Sequence, residues 1–430
     1  MSYELWGMSY VKIITSLLTI FSLFCAKHSF SQGATQDFNY PTLATVTLHP
    51  KDLPTATPFV HLSGGVLTLR FDDLTADYNS YNVRVVHHTS DWWPSDIHPS
   101  EYIDGFYDIP ISDMEDSFGT MVEYTHYRVD LPSDDMVWTK SGNYLLEVFD
   151  PSNPEEVLIS RRFVVYEDLC SVESRMMEPM EIAHRRTHQE VVFTVTEGAY
   201  TFIDPYSNLV TAVLQNGRWD NALSGLQPRF IKGRELDFSQ IGYVFPGGNS
   251  YRYADLKSLS FAARGVAGIA KGDLTFHHML EPSERRTYTY HKVWPDLNGR
   301  RVISNDRHEI NTGSDYTRAH FSIPMPYELV GRDIFIFGDL SNGQCLHTHR
   351  LQWNSANSSY EGNLLLKQGY YDFLYLVKDV LAKPEEPGIT ADLEGNHFAT
   401  DNLYSVIVYY ADFDGYDRVV GFNQWNSKQQ

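Results

Sequence analysis

Short apolar runs separated by turn residues dominate the first part of the chain. Between Asn39 and Glu167 these runs are TLATVTL, VLTLRF, YNVRVVHH, TMVEYTHYRVDL, GNYLLEVF and LISRRFVVY. Apolar or alternating runs of this length predict β-strands, because side chains of a strand point to opposite faces in turn. Glycine, proline and aspartate lie between the runs, where a strand must end. The pattern predicts an N-terminal immunoglobulin-like β-sandwich over residues 32–168.

A second all-β unit is predicted over residues 172–305. The runs VVFTVTE, YTFI and LVTAVLQ precede Asn216-Gly217, and a later run precedes Asn298-Gly299. Asn-Gly pairs favour the tight turn whose twist matches that of two paired strands. Between them lies RYADLKSLSFAARGVAGIA. We expect strands and irregular links there, because Gly265 and Gly268 would weaken a helix, and a helix is the alternative.

The third predicted unit covers residues 312–426. Its runs include RAHFSIPMP, IFIFGDLSNGQ, SSYEGNLLLKQGYYDFLYLV and LYSVIVYYADFDGYDRVVGFN. A strand that ends in Gly-Asp and is followed by a tryptophan-bearing strand resembles the early-set immunoglobulin-like modules that accompany starch and glycogen enzymes. The chain as a whole is therefore predicted to be all-β, with tandem β-sandwich (immunoglobulin-like) domains, the last of which resembles an early-set module.

The amino terminus has the pattern of a secretory signal peptide over residues 1–31. Lys12 precedes the apolar run Ile13–Phe24, and small residues suit cleavage before Gln32. The apolar run is too short to span a bilayer, and no later segment has 18 consecutive apolar residues. We expect a protein that crosses one membrane and then stays in water, with no direct membrane insertion.

Composition and charge narrow the possible partners. The chain has 28 Tyr and 24 Phe among 430 residues, and aromatic side chains favour strands. Its formal net charge of −21 excludes nucleic acid as a partner, since nucleic-acid binding requires a basic surface. Two cysteines, Cys170 and Cys345, follow the predicted signal peptide. They could pair in an oxidising compartment, and two free thiols are the alternative.

The candidate motifs for catalysis and metal binding lack required residues at the required positions. His347 and His349 would share one face of a strand, yet a zinc site needs three or four ligands. His308-Glu309 starts like a metalloprotease motif, but residue 312 is Thr where the second His is required. The carboxylates at 412–417 lack the EF-hand positions of Gly and Glu. Nucleophile and phosphate-loop motifs do not occur. We predict a protein that is not an enzyme, with no catalytic, cofactor or metal site.

An aromatic excursion at 90–117 is the candidate functional segment, because it is too long for a simple hairpin. It combines large flat rings with carboxylates, and the candidate protein-docking residues are Asp91, Trp92, Trp93, Pro94, Asp96, Tyr102, Phe106 and Tyr107. Such rings fill cores and protein interfaces for the same reason, a large apolar area at low rotamer entropy. The residues themselves leave three hypotheses open: a cap on the sandwich core, a protein-docking patch, or a sugar platform.

Several motifs in fixed order resemble the plug protein family of the Bacteroidetes type IX secretion system. They are D-W-x-P-S-D at 91–96, E-Y-I-D-G-F at 101–106, D-S-F at 116–118, Y-T-H-Y at 124–127, L-P at 131–132 and S-G-N-Y-L-L at 141–146. The resemblance implies a non-catalytic periplasmic protein on the inner face of the outer membrane. It also implies a partner, the SprA-like translocon barrel, whose periplasmic opening the protein would close in the idle state. A periplasmic or secreted carbohydrate-binding accessory protein is the alternative function.

Overall fold

The computed structural model describes residues 37–239, 242–288, 291, 294–306, 309–383, 386–411 and 415–428. The predicted signal peptide lies outside these ranges, as do His308 and residues 412–414 of the carboxylate segment. Strands make up 48% of the structure and helices only 7%, which confirms the all-β prediction. Within the described ranges, no helix is both long and apolar enough to cross a membrane.

The first unit is a β-sandwich. Its strands β1–β12 are Phe38–Asn39, Leu43–Pro50, Phe59–His61, Leu67–Asp73, Asn82–His88, Ile103–Gly105, Asp108–Pro110, Asp113–Asp116, Thr125–Leu131, Met136–Trp138, Gly142–Phe149 and Val157–Tyr166, and helix α1 is Pro99–Tyr102. One sheet has the order β1-β12-β11-β5-β7, with β3 also on β12, and the facing sheet has the order β2-β4-β9-β8. The pair β6 and β10 forms a small ribbon at one end.

Aromatic side chains fill the core between these two sheets. Phe71 stacks on Tyr127 with ring centroids 5.0 Å apart, and Tyr81 meets both rings edge to face. Tyr144 stacks on Phe163 at 5.2 Å. Such pairs stabilise a core beyond the area they bury, and they hold the end loops of the sandwich in place.

The second unit is also a sandwich, but it uses strands from two distant parts of the chain. Its first part has β13–β19 at Cys170–Met177, His188–Glu197, Leu209–Gln215, Leu223–Ser224, Phe230–Lys232, Glu235–Asp237 and Val244–Pro246, with helix α2 at Pro205–Asn208 and a 3-10 turn at Ile182–His184. Its second part has β29 and β30 at Leu403–Ala411 and Asp417–Asn426. One sheet has the order β13-β14-β18-β17, with β19 also on β14, and the other β16-β15-β29-β30.

The third unit is inserted between those two parts. It has β20–β28 at Arg252–Asp255, Val266–Lys271, Phe276–Leu280, Arg301–Ile303, Tyr316–Pro324, Arg332–Phe337, Arg350–Asn354, Ser359–Lys367 and Gly369–Asp379, helices α3 and α4 at Ile310–Gly313 and Ala391–Glu394, and 3-10 turns at Asp339–Ser341 and His347–His349. The described strands form one sheet in the order β20-β28-β25-β26-β27-β24-β22-β21, with β23 also on β28. Phe321 of β24 meets Phe373 of β28 at 5.1 Å, so the sheet folds over a shared core.

The predicted units 172–305 and 312–426 therefore do not correspond to separate sheets. Strand β15, from the first of these units, pairs along its whole length with β29 from the second. Strand β20 likewise pairs with β28 across the predicted boundary. Hydrophobic periodicity predicts that a strand exists, but it does not identify a partner almost 200 residues away. The segment predicted as strands and links does contain strands, at Arg252–Asp255 and Val266–Lys271.

Several buried contacts join the first unit to the others, among them an apolar cluster and an ion pair. An apolar cluster that includes Phe59 and Val164 of the first unit, and Ile407 and Tyr409 of the second, lies between their outer faces. The first and third units meet around Asp72, which forms an ion pair with Lys367 at 2.7 Å. Both side chains are almost fully buried. Occluded contacts of this kind hold units in one arrangement, whereas small polar contacts permit relative motion.

Candidate docking surface at one end of the first sandwich

The candidate segment starts where β5 ends at His88 and is folded by local hydrogen bonds. The Thr89 backbone N–H donates to the Trp93 carbonyl at 2.8 Å, and Pro94 bridges back to His88. Trp92 has a φ of 66°, a left-handed conformation that is uncommon for a bulky residue. The turn sends neighbouring rings in different directions. Trp92 is only 8% exposed, whereas Trp93 is 57% exposed.

The Trp92 side chain packs against other residues rather than facing solvent. Its ring meets Trp219 edge to face, with centroids 4.8 Å apart, and the Arg162 guanidinium lies 5.5 Å from its centroid. Trp219 belongs to the second unit, so Trp92 joins the two sandwiches. The buried Trp92 ring therefore offers no open face to a ligand in solution.

Tyr102 is buried as well, at the end of helix α1. The helix begins at a capping box, in which the His98 backbone N–H donates to the Glu101 carboxylate at 3.0 Å. Tyr102 then packs against Tyr144 and His87, with ring centroids 6.0 and 5.7 Å away. The ring thereby anchors the segment on the sandwich core.

Phe106 and Tyr107 come shortly after that anchor and face solvent, and Phe106 is 66% exposed. The Phe106 backbone N–H donates to the Asp135 carbonyl at 2.8 Å, which places Phe106 beside a second loop. Gly105 makes the approach possible: it has a φ of 104°, and a Cβ there would lie 2.3 Å from the Asp135 carbonyl oxygen. The second loop adds exposed Asp134, Asp135 and Val137.

These two loops are strongly acidic. Residues 89–107 and 132–139 contain no Lys or Arg, and their carboxylates, all exposed, are Asp91, Asp96, Glu101, Asp104, Asp134 and Asp135. The exposed rings of Trp93, Phe106 and Tyr107 lie on the same two loops. We call these six acids, the three rings, Pro94 and Val137 the acidic-aromatic surface. It offers apolar contact area within a negative field, which suits a protein partner with basic side chains.

The neighbouring histidines belong to the core and not to this surface. Burial lowers the pKa of His87 to about 4, and its ring contacts Ser95 at 2.7 Å and the Ser141 carbonyl at 3.2 Å. Burial also lowers the pKa of His88. Both rings are therefore neutral near pH 7 and hydrogen-bonded within the sandwich. They contribute no positive charge next to the acidic loops.

The other candidate residues, the histidines and cysteines that the structure describes, also have structural surroundings rather than those of a reactive site. His347 and His349 lie in a 3-10 turn rather than on one face of a strand, and burial lowers the pKa of His349 to about 4. The described residues include no group of three or more His, Cys, Asp or Glu that could hold a metal ion. Cys170 and Cys345 are both free thiols. Burial raises the pKa of Cys170 to about 12, so its thiol is unreactive.

The structure divides the eight candidate residues into two groups. Trp92 and Tyr102 are buried anchors, while the exposed members are Asp91, Trp93, Pro94, Asp96, Phe106 and Tyr107. Sequence reasoning missed Trp219, the partner of Trp92, and the acidic loop at 132–139. A signal for the loop was present: Asp134 and Asp135 come after a strand that returns to the same end of the sandwich as the aromatic excursion. No local signal pointed to Trp219.

Fold and site together define an all-β protein of packed sandwich units, with an exposed acidic and aromatic surface on its first unit. Residues 43–167, which contain that surface, match the family model described as "Type 9 secretion system plug protein 1st domain". The match supports the type IX secretion system plug family recognised from the sequence, and the candidate segment lies within the matched residues. The family supports an association with the type IX secretion machinery, a periplasmic location and a non-catalytic role.

Solved structures add information on the fold. The chain is similar to a hypothetical protein from Parabacteroides merdae, with 28% identity and a TM-score of 0.88 over 92% of this chain and 100% of that one. It is far less similar to the partial N-terminal region of an enterococcal surface protein (10% identity, TM-score 0.16, 92% and 96% covered) and to the collagen adhesin of S. aureus (7%, 0.11, 91% and 92%), and neither supports an argument. None of the curated proteins matches the chain.

Proposed function

We propose that this protein is a non-catalytic plug that seals the periplasmic opening of the SprA-like type IX translocon barrel when the barrel is idle. The observation that carries the proposal is the match of residues 43–167 to the plug first domain. A channel wide enough for folded cargo would leak small solutes unless a body of comparable width closes it. A sandwich of this size has a radius of gyration of roughly 14 Å, which is far wider than a solute.

Stiffness is the second property that occlusion requires, and the packing of the units supports it. The first sandwich is joined to the second through the apolar cluster around Phe59 and Tyr409, and to the third through the buried pair of Asp72 and Lys367. A body that flexed at these junctions would open gaps beside the barrel wall. The proposed plug therefore acts as one block, and cargo engagement must favour the unplugged state to release it.

The acidic-aromatic surface is the proposed docking site. Trp and Tyr are enriched where protein interfaces gain most of their energy, and complementary charge speeds association and fixes orientation. Six exposed carboxylates without a Lys or Arg in the same loops call for Lys or Arg on the barrel rim. We expect an interface with the three exposed rings at its centre and the acids around them.

Removing two exposed rings tests the docking site. In Trp93→Ala/Phe106→Ala, binding to the purified translocon should weaken by about 10- to 100-fold, mainly through faster dissociation, since truncated interface aromatics cost roughly 1–3 kcal/mol. Surface-immobilised translocon and titrated plug give both rate constants. Phe261→Ala, an exposed ring on the third unit, is the matched control and should bind as the wild type does. Equal affinity of the double variant and the control would show that docking uses another face.

Sealing is tested by conductance. Translocon isolated without this chain should conduct ions in planar bilayers, and adding the purified mature chain to the periplasmic side should block most of that conductance. Raised salt should weaken the block, because a complex that depends on complementary charge is screened. Equal conductance with and without bound chain would refute the plug.

A further inference from the structure

Two histidine rings meet on the outer face of the third unit, outside the acidic-aromatic surface. The His277 Nδ1 atom lies 2.9 Å from the His320 Nε2 atom, and the ring centroids are 5.2 Å apart. The two residues are 43 positions apart in the chain, so no short sequence motif contains both. Both side chains are partly exposed. The pair therefore has two ring nitrogens that face each other within reach of an ion from solution.

The sheet fixes the position of this pair. Strand β22 runs parallel to β24, and its register places His277 beside Arg318 and Met279 beside His320. Side chains alternate along β22, so His277 and Met279 lie on the outer face, while His278 between them is fully buried. Side chains on strands are held more precisely than side chains on loops, which is what a ligand site requires.

The surroundings of the pair orient one ring and leave room for an ion. A Cβ at Gly272 would lie 2.9 Å from His277 Nε2, so the turn before β22 packs against that side of the ring. The other ring nitrogen, Nδ1, is the one that faces His320. His320 and Met279 line an open depression of about 630 Å³ on the sheet, and Met279 is 39% exposed. The Met279 sulfur can thus approach an ion that lies between the rings.

The distance between the two nitrogens is that of adjacent ligands on a metal ion. A bond from a metal to a histidine nitrogen is about 2.0–2.1 Å long, so two such ligands at a right angle are about 2.9 Å apart, whereas a tetrahedral angle separates them by about 3.3 Å. Nitrogen ligands at right angles are typical of tetragonal Cu²⁺. Copper also has the highest affinity among the divalent first-row metals for such ligands.

Protonation of the two rings is compatible with an ion between them. At 2.9 Å one ring donates its N–H to the other, and a metal ion would take the place of that proton, which leaves to water. Burial, His277 and Arg318 lower the pKa of His320, so its ring is neutral near pH 7. Arg318 itself donates to the Asn363 side chain at 2.7 Å and does not occupy the ring nitrogens.

We propose that His277 Nδ1 and His320 Nε2 bind one Cu²⁺ ion, with the Met279 sulfur as a weak axial ligand. Two imidazoles and a thioether differ from a group of three or more His, Cys, Asp or Glu, of which the described residues contain none. Among the described strands, β21 joins its sheet through β22, and β22 joins the remaining strands through β24. The ion would therefore fasten β22 to β24. The site does not depend on the plug function.

Copper binding to the untagged mature chain tests the site. When CuCl₂ is titrated in the presence of glycine as a competing ligand, the wild type should bind one Cu²⁺ per chain. His277→Gln and His320→Gln should each lower the affinity by about 100-fold or more, because one of two strong ligands is lost. His184→Gln is the matched control and should keep the wild-type affinity, since His184 stacks on His188 of the second unit with centroids 4.3 Å apart.

Electron paramagnetic resonance identifies the ligands directly. The wild-type complex should show copper coupled to two imidazole nitrogens, and this spectrum decides the question even if a variant fails to fold. Met279→Leu should keep both nitrogens and bind copper only severalfold more weakly, as expected for an axial ligand. Copper should also raise the midpoint of thermal unfolding of the wild type but not of the two histidine variants, because an ion that binds the folded chain stabilises it.

Three results would overturn the proposal. One is a wild-type chain that holds no copper against glycine, and another is equal copper affinity of the wild type, His277→Gln and His320→Gln. The third is loss of the copper signal in His184→Gln alone, which would place adventitious copper on the second unit. Thermal unfolding without copper checks that each variant is folded. The conductance and translocon-binding measurements report on plugging separately.

Discussion

Lys367→Ala lowers the free energy of unfolding by about 3–5 kcal/mol, because it leaves the Asp72 carboxylate buried without its cation. Asp72 accepts from the Lys367 ammonium and from the Tyr316 hydroxyl, each at 2.7 Å, and lies 2.6 Å from His126. Lys367 also donates to the Asn311 carbonyl at 2.7 Å. The network spans the first and third units, so its loss also loosens that junction. Denaturant titration of the purified chain measures the change.

The direction of the Asp72 pKa adds a pH dependence to this prediction. Burial alone would raise that pKa, but the Lys367 ammonium and His126 outweigh it and hold the pKa of Asp72 below its ordinary value. Burial pulls the pKa of Lys367 downward against the attraction of Asp72, and we take the pair to be ionised because Asp72 also receives hydrogen bonds from its neighbours. A depressed carboxyl pKa stabilises the fold above about pH 4, and this contribution is lost as pH falls further.

Two control variants distinguish the effect of losing the buried ion pair from the effect of losing a side chain. The double variant Asp72→Asn/Lys367→Met removes both charges and should recover most of the lost stability, since a buried ion pair replaced by neutral groups is often near neutral in energy. Arg332→Ala breaks an exposed ion pair with Asp379, 3.1 Å apart, and should cost less than about 1 kcal/mol. If Lys367→Ala costs no more than Arg332→Ala, the junction does not depend on the buried pair.

The local pattern of the sequence was sufficient to predict the six longest of the twelve strands of the first unit. The runs VLTLRF, YNVRVVHH and GNYLLEVF correspond to β4, β5 and β11 almost residue for residue. In each run, the residues on one or both faces of the strand are buried, and those positions are apolar. Each run ends at turn residues. This information lies in the run itself, so a strand can be predicted without knowing which strand it pairs with.

The pairing of strands from distant segments could not be predicted from the sequence in the same way. Strand β15 is strand-like by itself, but nothing in LVTAVLQ identifies Tyr404–Tyr410 as its partner. The same limit applied to the candidate site. The sequence showed Trp92 and Trp93 as equivalent neighbours, and their difference in burial arises from Trp219 and Arg162, which approach only in the folded chain. The proposed docking site uses Trp93, the ring that stays 57% exposed.

A substitution in the apolar junction between the first and second units should also lower the stability of the protein by a large amount. Phe59 meets Phe422 and Trp219 edge to face, with centroids 5.3 and 6.4 Å apart, and is almost fully buried. Phe59→Ala should cost about 3–5 kcal/mol, from lost burial and from the cavity that remains. Because the cavity lies between two units that each keep their own core, calorimetry should show two separate transitions in the variant.

The same substitution separates docking from sealing. Phe59 is buried and is not a residue of the acidic-aromatic surface, although Trp219 contacts both Phe59 and Trp92. We therefore expect Phe59→Ala to weaken translocon binding less than Trp93→Ala/Phe106→Ala does. It should nevertheless block conductance poorly, because units that move independently leave gaps at the barrel mouth. Phe261→Ala again provides the control, with a change in stability of less than about 0.5 kcal/mol for an exposed ring. If Phe59→Ala unfolds in one transition and seals like the wild type, occlusion does not require the units to be locked together, and the first sandwich alone closes the barrel.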